Sequence, residues 1–176
     1  MKKLILLFFT VAMNQPLINF SNESSSNWQI INDTVMGGRS KAAVEFTGNS
    51  MIFTGIVSLK NNGGFVSYRS PYQRFDFNDF KGVEIRYRST GRAFSFQLET
   101  NQAWRLPNYK HSFENTTNEW VIEKLSFSDF EEYRVGRKTG KKMTLSELDK
   151  VIRIGFILID KKEGPFQLEV DYVKLY

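Results

Sequence analysis

The sequence predicts an all-β fold, a β-sandwich of the jelly-roll kind with one short helix. Apolar residues recur with a period of two far more often than with the helical period of 3.6. Gly, Asn and Asp turns separate many short segments of this kind, as they do in sandwiches and barrels. The 176 residues include 16 Phe, whose rings fill the space between packed sheets well. A chain of this length can bury a single core, so one domain is expected.

The strands are predicted from alternation or from short apolar runs. In chain order these segments are 17–20, 51–60, 63–70, 82–90, 93–100, 151–160 and 165–176. Three of them, 82–90, 93–100 and 165–176, alternate clearly enough to predict which residues face the core. The predicted core-facing residues are Val83, Ile85 and Tyr87 in 82–90, Phe94, Phe96 and Leu98 in 93–100, and Phe166, Leu168, Val170 and Tyr172 in 165–176.

One segment, 143–151, favours a short helix. Thr144 is the expected N-cap, and Glu147 lies three residues later, as in a capping box. Leu145 and Leu148 would then form its buried side.

Composition and motifs exclude several classes of function. The chain has no cysteine and a single histidine, His111, which rules out thiolate sites, paired-histidine metal sites and a cysteine nucleophile. Neither a dinucleotide nor a P-loop motif occurs. The net charge of +5 is modest for a nucleic-acid-binding protein. The sequence therefore predicts no cofactor, no metal-binding residues, and no nucleotide or nucleic-acid partner; it leaves open a structural calcium held by loop carboxylates and carbonyls.

A hydrolase built on two carboxylates is the weakest hypothesis that the sequence leaves open. The candidate acids lie near predicted strand ends or turns: Asp33, Glu99, Asp160 and Asp171. Acidic residues in such places more often form turns or face water, and the chain is predicted not to be an enzyme.

The N-terminus predicts a signal peptide over residues 1–12. Lys2 and Lys3 precede about ten apolar residues, too few to span a bilayer, and cleavage would follow Ala12. Export to the periplasm or beyond is therefore expected. An uncleaved apolar arm on an intracellular, membrane-associated protein is the alternative. Residues 17–176 would form the single domain.

A polar and aromatic loop, 101–113, is the candidate ligand-binding segment. It combines flat rings with hydrogen-bonding groups, as a sugar or peptide site does. Its candidate residues are Trp104, Arg105, Asn108, Tyr109 and His111. The alternative is that Trp104 and Tyr109 are core aromatics.

Basic residues cluster in the segment 134–142. This segment is interpreted as a solvated loop in preference to a site for an anionic partner.

The stretch INDTVMGGRS, residues 31–40, is predicted to turn a corner and to border a site only as a second possibility. Gly37 and Gly38 suit a tight turn, and Asp33 can accept backbone N–H groups of the same loop. A second glycine doublet, Gly63 and Gly64, follows Asn62 in a similar setting and precedes Arg69. The two segments are expected to meet, with Asp33 and Arg69 as a charge-assisted pair.

These segments resemble the complex I intermediate-associated protein family, the thirty-kilodalton mitochondrial assembly factors and their bacterial relatives. The resemblance rests on the NDxVMGGxS motif, and continues through FTGIVSLKNNGGFVSYRS, FKGVEIRYRSTGRAFSFQL, EWVIEKLSFSDF and IRIGFILIDKKEGPFQLEVDYVKLY. It covers nearly all of residues 17–176. The motif residues concerned are Trp28, Asn32, Asp33, Val35, Met36, Gly37, Gly38 and Ser40, with Gly63, Gly64 and Arg69.

The resemblance implies a galactose-binding-like jelly roll without enzymatic activity. It also implies a chaperone-like module that holds a protein partner during assembly of the respiratory NADH:ubiquinone oxidoreductase. The motif residues would form the family's shared surface or a structural corner. The leader departs from the mitochondrial pattern, since it is a lysine-started apolar run and not an Arg-rich transit peptide. An exported carbohydrate-binding module of the same fold is the alternative function.

Overall fold

Two antiparallel sheets form the fold in the computed structural model, which describes residues 17–20 and 27–176. The strands of these residues are, in chain order, β1 (Ile18–Asn19), β2 (Gln29–Asn32), β3 (Lys41–Phe46), β4 (Met51–Val57), β5 (Val66–Arg69), β6 (Gly82–Thr90), β7 (Phe94–Glu99), β8 (Asn108–Phe113), β9 (Val121–Ser126), β10 (Glu131–Arg134), β11 (Arg137–Lys142), β12 (Arg153–Leu158) and β13 (Gly164–Leu175). The predicted signal peptide, residues 1–12, lies outside the described residues.

The sheets differ in their strand order. The six-stranded sheet has the order β3-β4-β13-β6-β9, and β1 also pairs with β13. The seven-stranded sheet has the order β11-β10-β8-β7-β12-β5-β2. The consecutive strands β4 to β7 alternate between the sheets, with β4 and β6 in the first and β5 and β7 in the second, so the chain crosses from one sheet to the other repeatedly. The predicted all-β jelly-roll sandwich is confirmed.

The core between the sheets is largely aromatic, as the many Phe residues predict. Phe156 of β12 lies at its centre, with ring centroids 5.4 Å from Phe96, 6.1 Å from Phe20 and 6.3 Å from Trp28. Trp28, the first residue of the family motif, also packs against Tyr68 at 5.3 Å. Trp28 is therefore a core residue, and it lies immediately before β2.

The predicted core-facing residues are buried, with one exception at the end of the chain. A β-bulge shifts the register of β13 against β6 between Val170 and Tyr172, leaving Asp171 as the extra residue. An extra residue reverses the alternation of side chains. Val173 consequently enters the core, while the Tyr172 hydroxyl donates to Glu84 Oε1 at 3.0 Å. The prediction that Tyr172 faces the core with Val170 is wrong for this reason.

Helical structure is confined to short 3-10 turns in the part of the chain that the structure describes. They span Asp33–Met36, Lys60–Asn62, Phe127–Asp129 and Leu145–Lys150. None of these helices is long and apolar enough to span a membrane.

The predicted helix after Thr144 is present, but two of its expected details are wrong. The Thr144 side chain makes no cap hydrogen bond; its carbonyl instead accepts from the Glu147 N–H at 3.0 Å. Leu148 is buried, whereas Leu145 is 80% exposed. A helix of six residues at the rim of the sandwich packs only one leucine against the core.

Replacing Phe156 by Ala is expected to lower the free energy of unfolding by about 3–5 kcal/mol, because it leaves a cavity among several rings. Urea denaturation followed by tryptophan fluorescence measures this change. Leu145→Ala is the matched control, and its exposed side chain predicts a change within about 0.5 kcal/mol. Equal effects of the two substitutions would contradict the core described above.

Candidate functional site

The NDxVMGGxS motif forms a corner around the buried carboxylate of Asp33. Ser40 donates to it twice, from its backbone N–H to Oδ1 at 2.9 Å and from its hydroxyl to Oδ2 at 2.5 Å. The N–H groups of Gly64 and Phe65 donate to Oδ2 at 2.6 and 3.4 Å. One carboxylate thus joins the loop before β3 to the loop before β5, and the predicted meeting of the two glycine doublets is confirmed.

The glycines of both doublets are needed where the backbone approaches this carboxylate. A Cβ atom on Gly38 would lie 2.3 Å from Asp33 Cγ, and one on Gly63 would lie 2.5 Å from Asp33 Oδ2. Gly37 has a φ of +86° and ends the 3-10 turn in the left-handed conformation that glycine tolerates. Asn61 closes the corner by donating from Nδ2 to the Gly37 carbonyl at 3.0 Å. These motif positions are structural.

Hydrogen bonding decides the protonation state of Asp33. Burial alone would raise the pKa of its carboxyl group, but the donors on Ser40, Gly64 and Phe65 lower that pKa below its ordinary value of 3.8. Asp33 is therefore a carboxylate at neutral pH, held by backbone and hydroxyl donors.

The predicted ion pair between Asp33 and Arg69 is wrong. Arg69 Nη1 donates to Glu99 Oε1 at 2.7 Å, and its Nε donates to the Ser67 hydroxyl at 2.9 Å. Arg69 reaches β7 by crossing over Gly155 of β12, where an added Cβ would lie 2.9 Å from Arg69 Cγ. The absence of a side chain at Gly155 lets the guanidinium lie across the strand.

The strand register places these polar residues in one row on the outer face of the seven-stranded sheet. Because directly opposed residues point to the same face, the row follows from the pairings of adjacent strands. From β2 to β11 the row consists of Gln29, Arg69, Gly155, Gln97, Lys110, Glu131 and Lys142. A neighbouring row contains Arg153, Glu99 and Asn108.

A cleft of about 630 Å³ lies over the middle of these two rows. Its floor includes Gln97, Glu99 and Lys110, all nearly fully buried. One wall is the 3-10 turn of the corner, where Val35 and Met36 are 70% and 69% exposed. The volume falls within the usual range for ligand-binding clefts.

The opposite wall of the cleft is the loop between β7 and β8. It carries Trp104, Leu106 and Pro107, and Trp104 is 70% exposed. Exposed apolar side chains therefore flank a charged floor on two sides.

Two cations on the floor have no carboxylate partner within the described residues. Lys110 is 5% exposed, and its ammonium lies 4.4 Å from the ring centroid of Tyr133. Burial lowers the pKa of Lys110 to about 8, an effect that repulsion from Arg69 strengthens and Glu99 opposes. Arg153 donates only to neutral groups, the Ser70 carbonyl at 2.7 Å, the Tyr72 hydroxyl at 3.2 Å and Gln29 Oε1 at 3.4 Å.

The cleft also contains unsatisfied acceptors. Gln97 uses its amide N–H to donate to Glu99 Oε1 at 2.8 Å, which leaves its own Oε1 without a partner. Asn108 Oδ1 is likewise buried and unpaired. Buried acceptors without donors are rare in folded proteins, so the floor lacks hydrogen-bond donors that a ligand could supply.

The comparisons with known proteins identify the family. The family model described as Complex I intermediate-associated protein 30 (CIA30) matches residues 18–170. The chain belongs to this family. The CIA30 protein of Mus musculus, named mitochondrial, is 26% identical over 88% of this chain, and that of Drosophila melanogaster is 25% identical over 84%. The chain spans about half the length of these relatives, 53% and 57%.

The solved structures similar to this CIA30 chain include carbohydrate-binding modules and agarases by title. The family 11 module of cellulase Lic26A-Cel5E from Clostridium thermocellum has a TM-score of 0.68, 19% identity and 92% coverage of both chains. A structure of a family 11 module from the same organism with a β-1,3-1,4-mixed-linked tetrasaccharide has a TM-score of 0.65, 20% identity, and coverage of 91% and 93%. At this identity the likeness establishes the fold alone.

The residues of the candidate ligand loop do not all face the cleft, because successive side chains of β8 point to opposite faces of the sheet. Trp104 and Asn108 line the cleft. Tyr109 belongs to the core, and His111 lies beside the Phe130 ring at 5.4 Å, with its Nδ1 2.8 Å from the Ser112 carbonyl oxygen. Arg105 is exposed, and its carbonyl accepts from Arg134 Nε at 3.2 Å. The expected grouping of five residues around one ligand is therefore wrong for Tyr109 and His111, and Arg105 does not line the cleft either.

The four candidate carboxylates have separate partners. Asp33 binds the corner, Glu99 pairs with Arg69, Asp160 receives two hydrogen bonds from Arg92, and Asp171 pairs with Arg86. None of the described hydrogen bonds joins two of these acids. No group of three or more potential metal-ligating side chains occurs within residues 17–20 and 27–176.

The basic segment at 134–142 is a hairpin and not a loop. It comprises the end of β10 and all of β11, and Lys138 pairs with Glu131 at 2.5 Å. Lys142 pairs with Asp129 at 3.0 Å. Val135 and Gly136, at the hairpin turn, line the cleft.

Asp33→Ala is expected to lower the free energy of unfolding by about 1–3 kcal/mol, because the N–H groups of Ser40 and Gly64 lose their buried acceptor. Urea denaturation measures this loss. Val35→Ala, an exposed change in the same turn, is the control and should be near neutral.

The same comparison has a predicted pH dependence. Because folding lowers the pKa of Asp33, its carboxylate stabilises the fold fully above the ordinary value of 3.8. The part of its advantage over Asp33→Ala that depends on the ionised carboxylate should be lost as the pH falls from 3.8 through the lower, folded-state pKa. A stability difference that grows on acidification would contradict this account of the corner.

Proposed function

We propose that this chain is a non-catalytic binding module that holds a protein partner, an assembly intermediate of a membrane complex. The observation that carries the proposal is the cleft on the outer face of the seven-stranded sheet, with apolar walls above a charged floor. Membership of the CIA30 family supports the class of partner, since the relatives are named complex I intermediate-associated proteins. Exposed apolar side chains around a concave surface are typical of protein interaction sites.

The side chains that would serve catalysis are engaged elsewhere. His111 lies against Phe130 beneath the sheet, away from the face that carries the cleft. Glu99, the carboxylate on the floor that is a hydrolase candidate, is held by Arg69 and by the Gln97 amide. This use of Glu99 as a structural anion supports binding in preference to acid–base chemistry.

Site-specific photo-crosslinking tests the proposal. A photoreactive benzoylphenylalanine placed at Trp104, and separately at Met36, would report on the two walls of the cleft. The expected result is the same crosslinked protein from both positions, identified by mass spectrometry as a subunit of NADH:ubiquinone oxidoreductase. Ile122, 58% exposed on the other sheet, is the matched control position and should give no such product.

Two outcomes would overturn the proposal. One is a crosslinked product that forms at Ile122 but not at the cleft. The other is the absence of any complex I subunit among the products from both cleft positions. Thermal melts of the labelled variants show whether each retains the fold.

Carbohydrate binding is the second candidate, favoured by one observation. Trp104 offers an exposed ring at the edge of a cleft that also holds the amides of Gln97 and Asn108. A flat ring beside amide groups is a common way to bind a sugar. Export, as the leader predicts, would suit this function.

A glycan array separates this candidate from the first. Binding by the wild-type chain that is lost in a folded Trp104→Ala variant is the outcome that carbohydrate binding requires. The buried Tyr109 is unsuitable for this test because its substitution disturbs the core. No binding by a well-folded wild type would remove the carbohydrate candidate.

A further inference from the structure

The floor of the cleft contains a charge imbalance that folding alone leaves uncompensated. Arg69 and Glu99 neutralise each other at 2.7 Å. Lys110 and Arg153 remain as buried cations, and neither forms an ion pair with a described residue. Burying a charge without an opposite partner is costly, so this arrangement favours an anion supplied from outside.

Lys110 is the cation whose surroundings call most clearly for such a partner. Its direct neighbours in the row are Gln97 on β7 and Glu131 on β10. Gln97 is neutral, and Glu131 pairs with Lys138. Glu99 is shared between Arg69 and Gln97. The lowered pKa of Lys110, about 8, agrees with an ammonium that lacks a close carboxylate.

The unpaired amide oxygens on the floor restrict which chemical groups a ligand of this cleft must carry. Gln97 Oε1 and Asn108 Oδ1 need donors, and they lie on the same floor as the Lys110 ammonium. A ligand that fits must therefore present a negative group together with N–H or O–H donors. Carboxylate is the group expected here, since a carboxylate accepts well from a single ammonium.

The walls favour a peptide over a sugar as the source of that carboxylate. Val35, Met36, Leu106 and Pro107 are aliphatic and suit apolar side chains, whereas sugars pack best on aromatic rings. Three aromatic residues line the cleft: Phe65, Tyr72 and Trp104. Phe65 is partly buried, and the Arg153 guanidinium lies 4.5 Å from the centroid of the Tyr72 ring, which leaves Trp104 as the most exposed of the three rings.

We propose that the cleft binds an acidic peptide segment of the protein partner, in which an Asp or Glu carboxylate pairs with the Lys110 ammonium. Backbone N–H groups of the segment supply the donors that Gln97 and Asn108 lack. Apolar residues beside the acid pack against Met36 on one wall and Leu106 on the other. This inference rests on the proposed function, because it specifies which part of a protein partner enters the cleft.

Selection from a random 12-residue peptide library on the immobilised full chain tests this inference. The expected peptides carry Asp or Glu flanked by apolar residues. One such peptide, synthesised and labelled, should bind Lys110→Met at least about 10-fold more weakly than wild type. Lys124→Met on the outer face of the other sheet is the matched control and should bind as wild type does.

Stability and a second substitution separate loss of the pair from loss of the fold. Lys110→Met removes an uncompensated buried charge, so its urea midpoint should equal or exceed that of wild type. Changing the acidic residue of the peptide to its amide should weaken binding to wild type by a similar factor. The same change should have little further effect on Lys110→Met, as a double-mutant cycle requires of a direct pair.

Three results would overturn the inference. The first is enriched peptides without an acidic residue. The second is independent effects of the Lys110 and peptide substitutions. The third is a Lys110-dependent complex with an oligogalacturonate probe when no peptide is enriched, which would assign the site to acidic glycans. Crosslinking at Trp104 and Met36 does not depend on Lys110, so a partner trapped there would leave the proposed function intact if the acidic-peptide inference failed.

Discussion

The hydrogen-bond register of the seven-stranded sheet is the constraint on which the rest of the molecule depends. On β7 it directs Phe94, Phe96 and Leu98 into the core, and it opposes Phe96 to Phe156 of the neighbouring strand. The residues between them then lie on the outer face, where Gln97 meets Lys110. A shift of one residue would place charges in the aromatic core and phenylalanines in the cleft. Core and floor are therefore two consequences of the same pairing.

The corner at Asp33 makes the cleft on this face deeper, because it forms one of the cleft's walls. A sheet floor alone is shallow, and the wall that carries Val35 and Met36 exists because the 3-10 turn is held against the loop before β5. The four donors to one carboxylate fix that contact, and Gly38 and Gly63 permit it. The family motif thus shapes the cleft without supplying its charged floor, which comes from β5, β7, β8 and β12. The motif is thus a corner whose exposed 3-10 turn forms one wall of the cleft.

Sequence reasoning predicts the fold better than the site, and the reasons are physical. Alternation identifies β6 and β7 with their correct faces because each has polar and apolar residues in strict succession. It fails at Tyr172 because a single bulged residue, Asp171, leaves no mark in composition. Lys110 was not a predicted site residue, although its position between Tyr109 and His111 on β8 carried a usable signal. Phe113 faces the core, so counting back by two buries Tyr109 and turns Lys110 outward.

Side-chain ion pairs between strands could not be predicted from the sequence, because they depend on the order of the strands in the sheet. The Arg69–Glu99 pair spans three strands and requires Gly155 between them, and these residues are far apart in the sequence. The prediction of an Asp33–Arg69 pair rests on the similarity of the two glycine-doublet segments, one of which contains Asp33 and the other of which precedes Arg69. In the fold, hydrogen-bond donors of the backbone satisfy Asp33 first, which leaves Arg69 for another acid.

The polar residues on the cleft floor lower the stability of the fold, so a contribution to stability does not explain their presence. An apolar residue at position 110 would avoid the burial of an unpaired ammonium, and such replacements are often neutral or stabilising in buried settings. The same holds for a glutamine whose carbonyl oxygen stays unsatisfied at position 97. Among the described residues three buried side-chain oxygens have no hydrogen-bond partner, and two of them, Gln97 Oε1 and Asn108 Oδ1, lie on the floor of this open cleft with Lys110; the third is Asn32 Oδ1 of the family motif. That concentration distinguishes this face from the outer face of the six-stranded sheet, where Arg86 and Arg88 already pair with Asp171 and Glu169 and stack on Trp120.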